Sequence, residues 1–292
     1  MKDYRDYRTL HWAPDIDGPW SDAAVDRYVA GGYEGVHYRI PRGVKHASLE
    51  FLLPLPGLRY LSVQGSVTDD SAVNETESLE HLTLLTRSKA PLAVDRLHRL
   101  HHLAVDARED LTGIRGLPGL QWLYLAGWRG ADVSFLGDKP RLVWLRLDGR
   151  PGRLRLDGIE GCSDLQELEV LDYRVPSLAP LRGLAAVERL WLSGPRRIPA
   201  DNNLDLDDLA GMQHLRDLRL INAGVIGSLA PLPRLSKLRD FRFNEVAIAD
   251  GDLAVLFTLP SWVGIVPPKR FIDDPSRYSH SVGQLRDLPA PR

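Results

Sequence analysis

Leu120–Trp128 reads LQWLYLAGW. Leu120, Leu123 and Leu125 fall on a Leu-x-x-Leu-x-Leu frame, and Trp122 and Tyr124 occupy slots where a soluble strand normally carries something polar. The frame recurs nine times: LRYLSV at Leu58, LEHLTL at Leu79, LHHLAV at Leu100, LQWLYL at Leu120, LVWLRL at Leu142, LQELEV at Leu165, VERLWL at Val187, LRDLRL at Leu215 and LRDFRF at Leu238. The steps between copies are 21, 21, 20, 22, 23, 22, 28 and 23 residues. An approximate copy, PSWVGI, begins at Pro260, and a divergent one, YEGVHY, begins at Tyr33. The last two apolar positions of the frame are two residues apart, the spacing of one strand face, so they point to one side and the residues between them to the other. A strand of this kind cannot bury its apolar face alone. Copies spaced by about twenty residues must stack, one rung per repeat, into a solenoid.

In these residues the chain resembles the leucine-rich repeat family, over about Tyr33 to Val266. The return segments VPSLAPLRGLAAVERL and VIGSLAPLPRLSKLRDF are similar to those of the short, roughly 22-residue bacterial class typified by internalins. The resemblance implies an α/β repeat solenoid: a horseshoe with a parallel, concave β-sheet and short 3₁₀, irregular or helical convex segments. It departs from the family at the ninth repeat position, where Asn or Cys normally bonds backbone inside the turn. Here that position holds Ser66, Arg87, Arg108, Trp128, Arg150, Tyr173, Pro195, Ala223 and Val246. Glycines just before it (Gly65, Gly127, Gly149 and Gly194) are expected to supply the bend through positive φ.

A solenoid needs capped ends. SDAAVDRYVAGG predicts a short helix with Ser21 as N-cap and Gly31-Gly32 as its stop. ADGDLAVLFTLP predicts a last return helix, after which Phe271 and Tyr278 are expected to tuck under the final rung, with the last few residues loose. The expected organisation is a cap over 1–34, a solenoid of about nine to eleven repeats over 35–266 and a C-terminal cap and tail over 267–292. The long seventh unit inserts PRRIPADNNLDLDDLAGM. Its Asp201, Asp205, Asp207 and Asp208 lack the alternating ligands, central Gly and terminal Glu of a calcium hand, so a loop with an Asp helix cap is expected.

Composition narrows the function class. Net charge is −2, which gives no global pull toward nucleic acid or anionic membrane. The lone Cys162 excludes an intrachain disulfide and points to a reducing compartment. The start, MKDYRDYRTLHWAPDIDGPW, has no apolar core of a secretory signal, and no stretch approaches the apolar length of a membrane helix. A cytoplasmic location is expected. The excess of Arg over Lys, 31 to 6, suggests a GC-rich bacterial genome.

Numbering the frame 1 to 6 from its first leucine, positions 3, 5 and 7 face outward. Position 3 reads Tyr60, His81, His102, Trp122, Trp144, Glu167, Arg189, Asp217, Asp240. Position 5 reads Ser62, Thr83, Ala104, Tyr124, Arg146, Glu169, Trp191, Arg219, Arg242. Position 7 reads Gln64, Leu85, Asp106, Ala126, Asp148, Leu171, Ser193, Ile221, Asn244. With strands about 4.8 Å apart, this gives an aromatic centre, an acidic step at Glu167 and Glu169, and a basic end. Trp, Tyr and Arg are the residues that most often anchor interfaces. The expected function is therefore non-catalytic binding of a protein partner through the concave face. The anchors would be Trp122, Tyr124, Trp144 and Trp191. Register would be set by Arg146, Glu167, Glu169, Arg189, Arg219 and Arg242, with Tyr60, His81 and His102 extending the row. The bland alternative is that the rings only stiffen the sheet. An immunity-type or regulatory inhibitor of a toxin or enzyme is a special case of binding.

An alternative from another class is a metal protein or enzyme centred on His81, His102 and Asp106, although metal sites need three or four converging ligands. No catalytic residue and no cofactor is expected: the sequence carries no Gly-x-Ser-x-Gly elbow, P-loop or dinucleotide fingerprint. Cys162 in GCSD resembles the Cys-x-Asp motif of bacterial leucine-rich-repeat ubiquitin ligases, but it falls just before a repeat strand and not in a separate helical domain; a small buried thiol is expected. Nucleic acid is disfavoured, because Asp217 and Asp240 interleave with Arg189, Arg216, Arg219, Arg239 and Arg242 and favour internal ion pairing.

Overall fold

The computed structural model describes residues 15–16, 18–108, 111–195 and 202–291. The amino-terminal stretch of the expected cap and Asp201 of the insertion lie outside them. The chain folds as two compact units, one ending at Ala126 and the other beginning at Gly127.

The first unit contains β1 (Asp15–Ile16), α1 (Asp22–Ala30), β2 (Gly35–Arg39), β3 (Lys45–His46), β4 (Tyr60–Gln64), β5 (Ser66–Val67), β6 (His81–Leu85) and β7 (His102–Asp106), and it enters β8 (Trp122–Trp128). Its sheet is parallel, in the order β1-β2-β4-β6-β7-β8, with β3 and β5 pairing separately on the turn side. The second unit contains β9 (Trp144–Arg153), β10 (Glu167–Arg174), β11 (Arg189–Ser193), β12 (Asn203–Leu204), β13 (Asp217–Ile226), β14 (Asp240–Ile248), β15 (Gly264–Val266) and α2 (Val282–Leu285). Its strands run parallel in the order β9-β10-β11-β13-β14-β15, with β12 added beside β13.

Every full repeat enters its strand at position 3 of the frame, and within each unit the same hydrogen bonds link one rung to the next. The carbonyl of position 2 receives two N–H groups from the next rung: Arg59 O takes those of Glu80 and His81 at 2.8 and 3.1 Å, and Gln166 O takes those of Glu188 and Arg189 at 2.8 and 3.0 Å. The register is one rung per repeat, so Leu61, Leu82, Leu103 and Leu123 stand in line in the first unit, as do Leu145, Leu168, Leu190, Leu218 and Phe241 in the second. All of these are buried, together with the frame's first leucines. Truncating one to Ala removes about 2–5 kcal/mol, because neighbours fixed on parallel rungs close poorly over the gap.

The return segments carry 3₁₀ turns such as Val94–Arg96, Ala179–Leu181 and Leu232–Arg234, whose apolar residues close the core from the other side. ADGDLAVLFTLP follows the same pattern. It forms a 3₁₀ turn, Ala254–Phe257, in place of the expected helix: Leu253 and Leu256, three residues apart, reach the core, while Phe257 stays exposed. α1 forms where expected and inserts Tyr28, whose hydroxyl donates to Pro56 O at 2.8 Å. Ser21 sits at its N-cap without a side-chain capping bond.

The turns replace the missing asparagine ladder in several ways. Positive φ does occur at the eighth position, at Gly65 (136°) and Gly127 (79°), but three non-glycines, Asp172, Asn222 and Glu245, adopt it equivalently. Gly149 and Gly194 are glycine for a different reason: a Cβ at 149 would meet the Tyr173 ring at 1.9 Å, and one at 194 would meet Asn222 O at 2.1 Å. In the first unit Arg108 reaches back to Asp70 with two bonds of 2.6 Å and to Ala90 O at 2.7 Å, and Thr86 Oγ1 donates to the same Asp70 carboxylate. Arg108 and Asp70 are both buried. In the second unit Asn202 Nδ2 donates to Val175 O and Ala223 O, both at 2.8 Å, and the Tyr173 hydroxyl donates to Trp128 O.

The insertion and the tail pack as parts of the second unit. Asp205 caps the 3₁₀ turn Leu206–Leu209 by accepting from Asp207 N, while Asp207 and Asp208 pair with Arg234 and Arg182. Phe271 and Tyr278 stack at 3.9 Å between centroids, and the Tyr278 hydroxyl accepts from Ile248 N and donates to Asp273. α2 is closed by a Ser281/Gln284 capping box. The chain then runs back along the last strand, with Ile265 N donating to Pro289 O at 2.7 Å. The tail is thus tied down nearly to its end, where sequence alone suggested loose residues.

Candidate binding face

Positions 3, 5 and 7 of the frame lie on the sheet face opposite the leucine core. In the first unit this face is built from flat rings. Tyr60, His81, His102 and Trp122 stand in register on four adjacent strands. His81 and His102 stack at 5.0 Å with planes 2° apart, and His102 stacks on Trp122 at 4.1 Å and 14°. Tyr60 meets His81 edge-on at 5.1 Å, and its hydroxyl donates to Glu80. Parallel strands repeat at nearly the ring-stacking distance, so identical slots on successive rungs place rings face to face. The small residues Ser62, Thr83 and Ala104 at position 5 are buried beside the stack, and Tyr124 closes their row half-buried.

Burial sets the protonation of this stack. His81 is pushed down to about 4, by desolvation first and by neighbouring His101 second, with Glu80 opposing. His102 lies well below its ordinary value for the same reasons, with His81 adding to the effect. Both imidazoles are neutral at pH 7. Their face-to-face arrangement does not converge nitrogens on a common point, and the Asp106 carboxylate accepts from Arg87 N at 2.7 Å. Among the described residues no group of three His, Cys, Asp or Glu side chains is placed to hold a metal. Cys162 is buried and its thiol is pushed up to about 12 by desolvation, which suits a packing role.

In the second unit the same positions form a charge ladder. Arg146 bonds Asp148 two residues on and Glu169 on the next strand, at 2.9 and 3.2 Å. Arg189 pairs with Glu167, and Arg219 grips Asp217 two residues back with Nε and Nη2. The Arg219 guanidinium lies 5.2 Å from the centre of the Trp191 ring, and Asp217 holds it firmly charged. At position 2 of the frame Arg216 pairs with Glu188, and Arg239 covers the exposed Trp262. Interleaved acids thus take up most of the arginines of this face.

The residues singled out in the sequence differ in what they offer a partner. His102, Trp144, Glu167 and Glu169 are 2, 5, 7 and 7% exposed and have little surface left. Tyr60, His81, Trp122, Tyr124, Arg146, Trp191, Arg219 and Arg242 are half-buried, and Arg189 is exposed. Two outward residues were not singled out. His37, at position 5 of the divergent first copy, stands in register with Ser62; the weak match of YEGVHY to the frame hid it. Asn244 was on the position-7 row, but an isolated amide carries no signal of its own.

No family model matches the sequence, and no curated protein matches it. Solved structures do. An internalin, InlF, from Listeria monocytogenes superposes with a TM-score of 0.59 at 16% identity, over 87% of this chain and 78% of that one. A TDR receptor gives 0.62 at 16% identity, over 94% of this chain and 49% of the receptor. The plant peptide hormone receptor RGFR1, solved with RGF2, gives 0.55 at 14% identity, over 89% and 42%. The chain has the leucine-rich repeat fold. At these identities the likeness fixes the fold and leaves function to the residues of the chain. Among the described residues no helix is long and apolar enough to cross a membrane.

Proposed function

We propose that this leucine-rich repeat chain is a non-catalytic, cytoplasmic protein-binding module whose outward sheet face meets the partner. The observation that carries this reading is the ordered ring stack from Tyr60 to Trp122, whose members are held on adjacent rungs before any partner arrives. Rings fixed in this way lose little conformational freedom on binding, which is what makes an anchor effective. Trp122, Tyr124 and Trp191 are the anchors in this reading. The ladder of Arg146, Arg189 and Arg219 with its carboxylates sets register and rejects mismatched partners. The buried His102, Trp144, Glu167 and Glu169 support the face from beneath. One structural neighbour, the receptor RGFR1, was solved with RGF2 bound, which is consistent with a binding role on this fold. An inhibitor that plugs a toxin or enzyme would use the same face.

The test is affinity capture from native lysate with quantitative mass spectrometry, comparing the wild type with Trp122→Ala/Tyr124→Ala shown by circular dichroism to remain folded. A protein held by wild type and lost from the variant identifies the partner and the face together. An unchanged set of captured proteins would remove the face from consideration.

A further inference from the structure

Most charged groups on the outward face of the second unit are already matched within the chain. One corner is not. Trp191, Arg219 and Arg242 occupy position 5 on the adjacent strands β11, β13 and β14, and Asn244 follows Arg242 on the same face. Arg219 is satisfied by Asp217. Arg242 has an Asp two residues back in the same way, Asp240, yet makes no ion pair with it. The Arg242 Nε, the Trp191 indole Nε1 and the Asn244 Oδ1 are all shielded from solvent and have no hydrogen-bond partner. Two donors and one acceptor therefore stand unmatched within a patch two strand spacings wide, about 10 Å. Native proteins rarely leave shielded polar groups in this state, and three on one face call for an external partner.

The chemistry of the three atoms describes that partner. A guanidinium edge offering Nε is the fork that a carboxylate fills with two parallel bonds. An indole N–H needs an acceptor such as a backbone carbonyl. An amide oxygen needs a donor such as a backbone N–H. An extended segment of about three residues reaches all three groups at about 3.3 Å per residue. We infer that the corner formed by Trp191, Arg242 and Asn244 is the recognition subsite of this face, and that it takes an Asp or Glu side chain of a protein partner together with the backbone on either side. The inference rests on the binding reading above and gives it a chemical class. Asp240 is the built-in competitor: it lies next to Arg242 without engaging it, so it weakens an incoming acid without replacing it.

The probe is a random-peptide display library panned on the full chain, with the selected pools sequenced and the leading peptide synthesised for fluorescence anisotropy. Wild type is expected to enrich Asp or Glu at one position. Arg242→Gln is expected to abolish that enrichment and weaken the peptide by about tenfold or more, the scale of a lost charged hydrogen bond. Arg242→Lys, which keeps the charge but not the fork, should fall between. Trp191→Phe, which keeps the ring and removes the N–H, should weaken binding about fivefold. Asp240→Asn should tighten it. Circular dichroism of each variant confirms that these are effects on binding. Selected peptides without an acidic preference, or with one that survives Arg242→Gln, would overturn the subsite while leaving the face reading in place. A pool no richer than that from an uncoated surface would count against both.

Discussion

The two units solve the same problem with opposite chemistry. Both repeat one frame, and both must fill outward slots that stand about 4.8 Å apart on neighbouring strands. At that spacing like side chains are forced together. The first unit uses flat neutral rings, which gain by stacking, and it keeps its two imidazoles neutral by burying them. The second unit uses ions, which would repel if alike, and so it sets opposite signs side by side: Glu167 by Arg189 and Glu169 by Arg146 across rungs, and, where Asp217 meets Asp240 and Arg219 meets Arg242 on neighbouring strands, Asp217 by Arg219 within one strand. The comparison shows that a parallel repeat sheet restricts its outward face more than an isolated strand would. Each slot is chosen with the slot on the next rung.

The comparison can be broken or sharpened by substitution. The largest effect is expected in the turns of the first unit. Asp70→Ala leaves Arg108 buried without its carboxylate and should cost about 3–5 kcal/mol in urea unfolding. A loss under about 1 kcal/mol would mean that the pair does not hold the turns. In the second unit Gly149→Ala drives a methyl into the Tyr173 ring and should cost about 1–3 kcal/mol, read as a lower melting temperature.

Next comes pH. His81 and His102 titrate in the folded state below the ordinary histidine value of about 6.5. The unfolded chain therefore takes up protons first. The stability of the first unit should be full above about pH 6.5 and be lost as pH falls through about 4. His101 and Glu80 also lie beside the stack; burial raises the Glu80 carboxyl, but the Arg59 guanidinium, the Tyr60 hydroxyl and His101 together hold it below its ordinary value. A melt series between pH 7 and 5 thus reads mainly the imidazoles. His81→Phe/His102→Phe should flatten that slope, and a slope unchanged in the double variant would assign it elsewhere. The smallest effect belongs to the solvent-facing ions of the second unit: Arg216→Gln, which loses a 3.7 Å contact to Glu188, should cost under about 1 kcal/mol, with the difference shrinking in high salt.

Much of the fold was legible in the sequence because its leucines repeat with a fixed period, and a period needs no knowledge of side-chain geometry. Strand entry at position 3 and the parallel register follow from it, while the short 3₁₀ returns were implied by the resemblance of the return segments to the internalin-like class. The outward rows could be written down residue by residue for the same reason. What could not be read was how much of each side chain stays exposed. Trp122 and Trp144 hold the same frame position in consecutive repeats, and one is half-buried while the other is buried. The turns were equally opaque. Arg108 at a ninth position gives no hint that its partner is Asp70, because that contact depends on where two return segments cross. Gly149 and Gly65 look alike, yet one makes room for a ring and the other bends the chain.

The Asp70 carboxylate has one more consequence. It accepts from Thr86 in the turn after the next strand and from Arg108 in the turn after that, so one side chain ties three successive turns. Repeat proteins usually grow and shrink by duplicating or losing single units, since each unit touches only its neighbours. Here a duplicated or deleted repeat between Asp70 and Arg108 would separate the two charges by a rung and strand both inside the protein. This stretch is therefore heritable only as a block. Lineages that vary the length of this solenoid are expected to do so outside residues 70–108, and a consensus redesign that treats each repeat as interchangeable should fail first there.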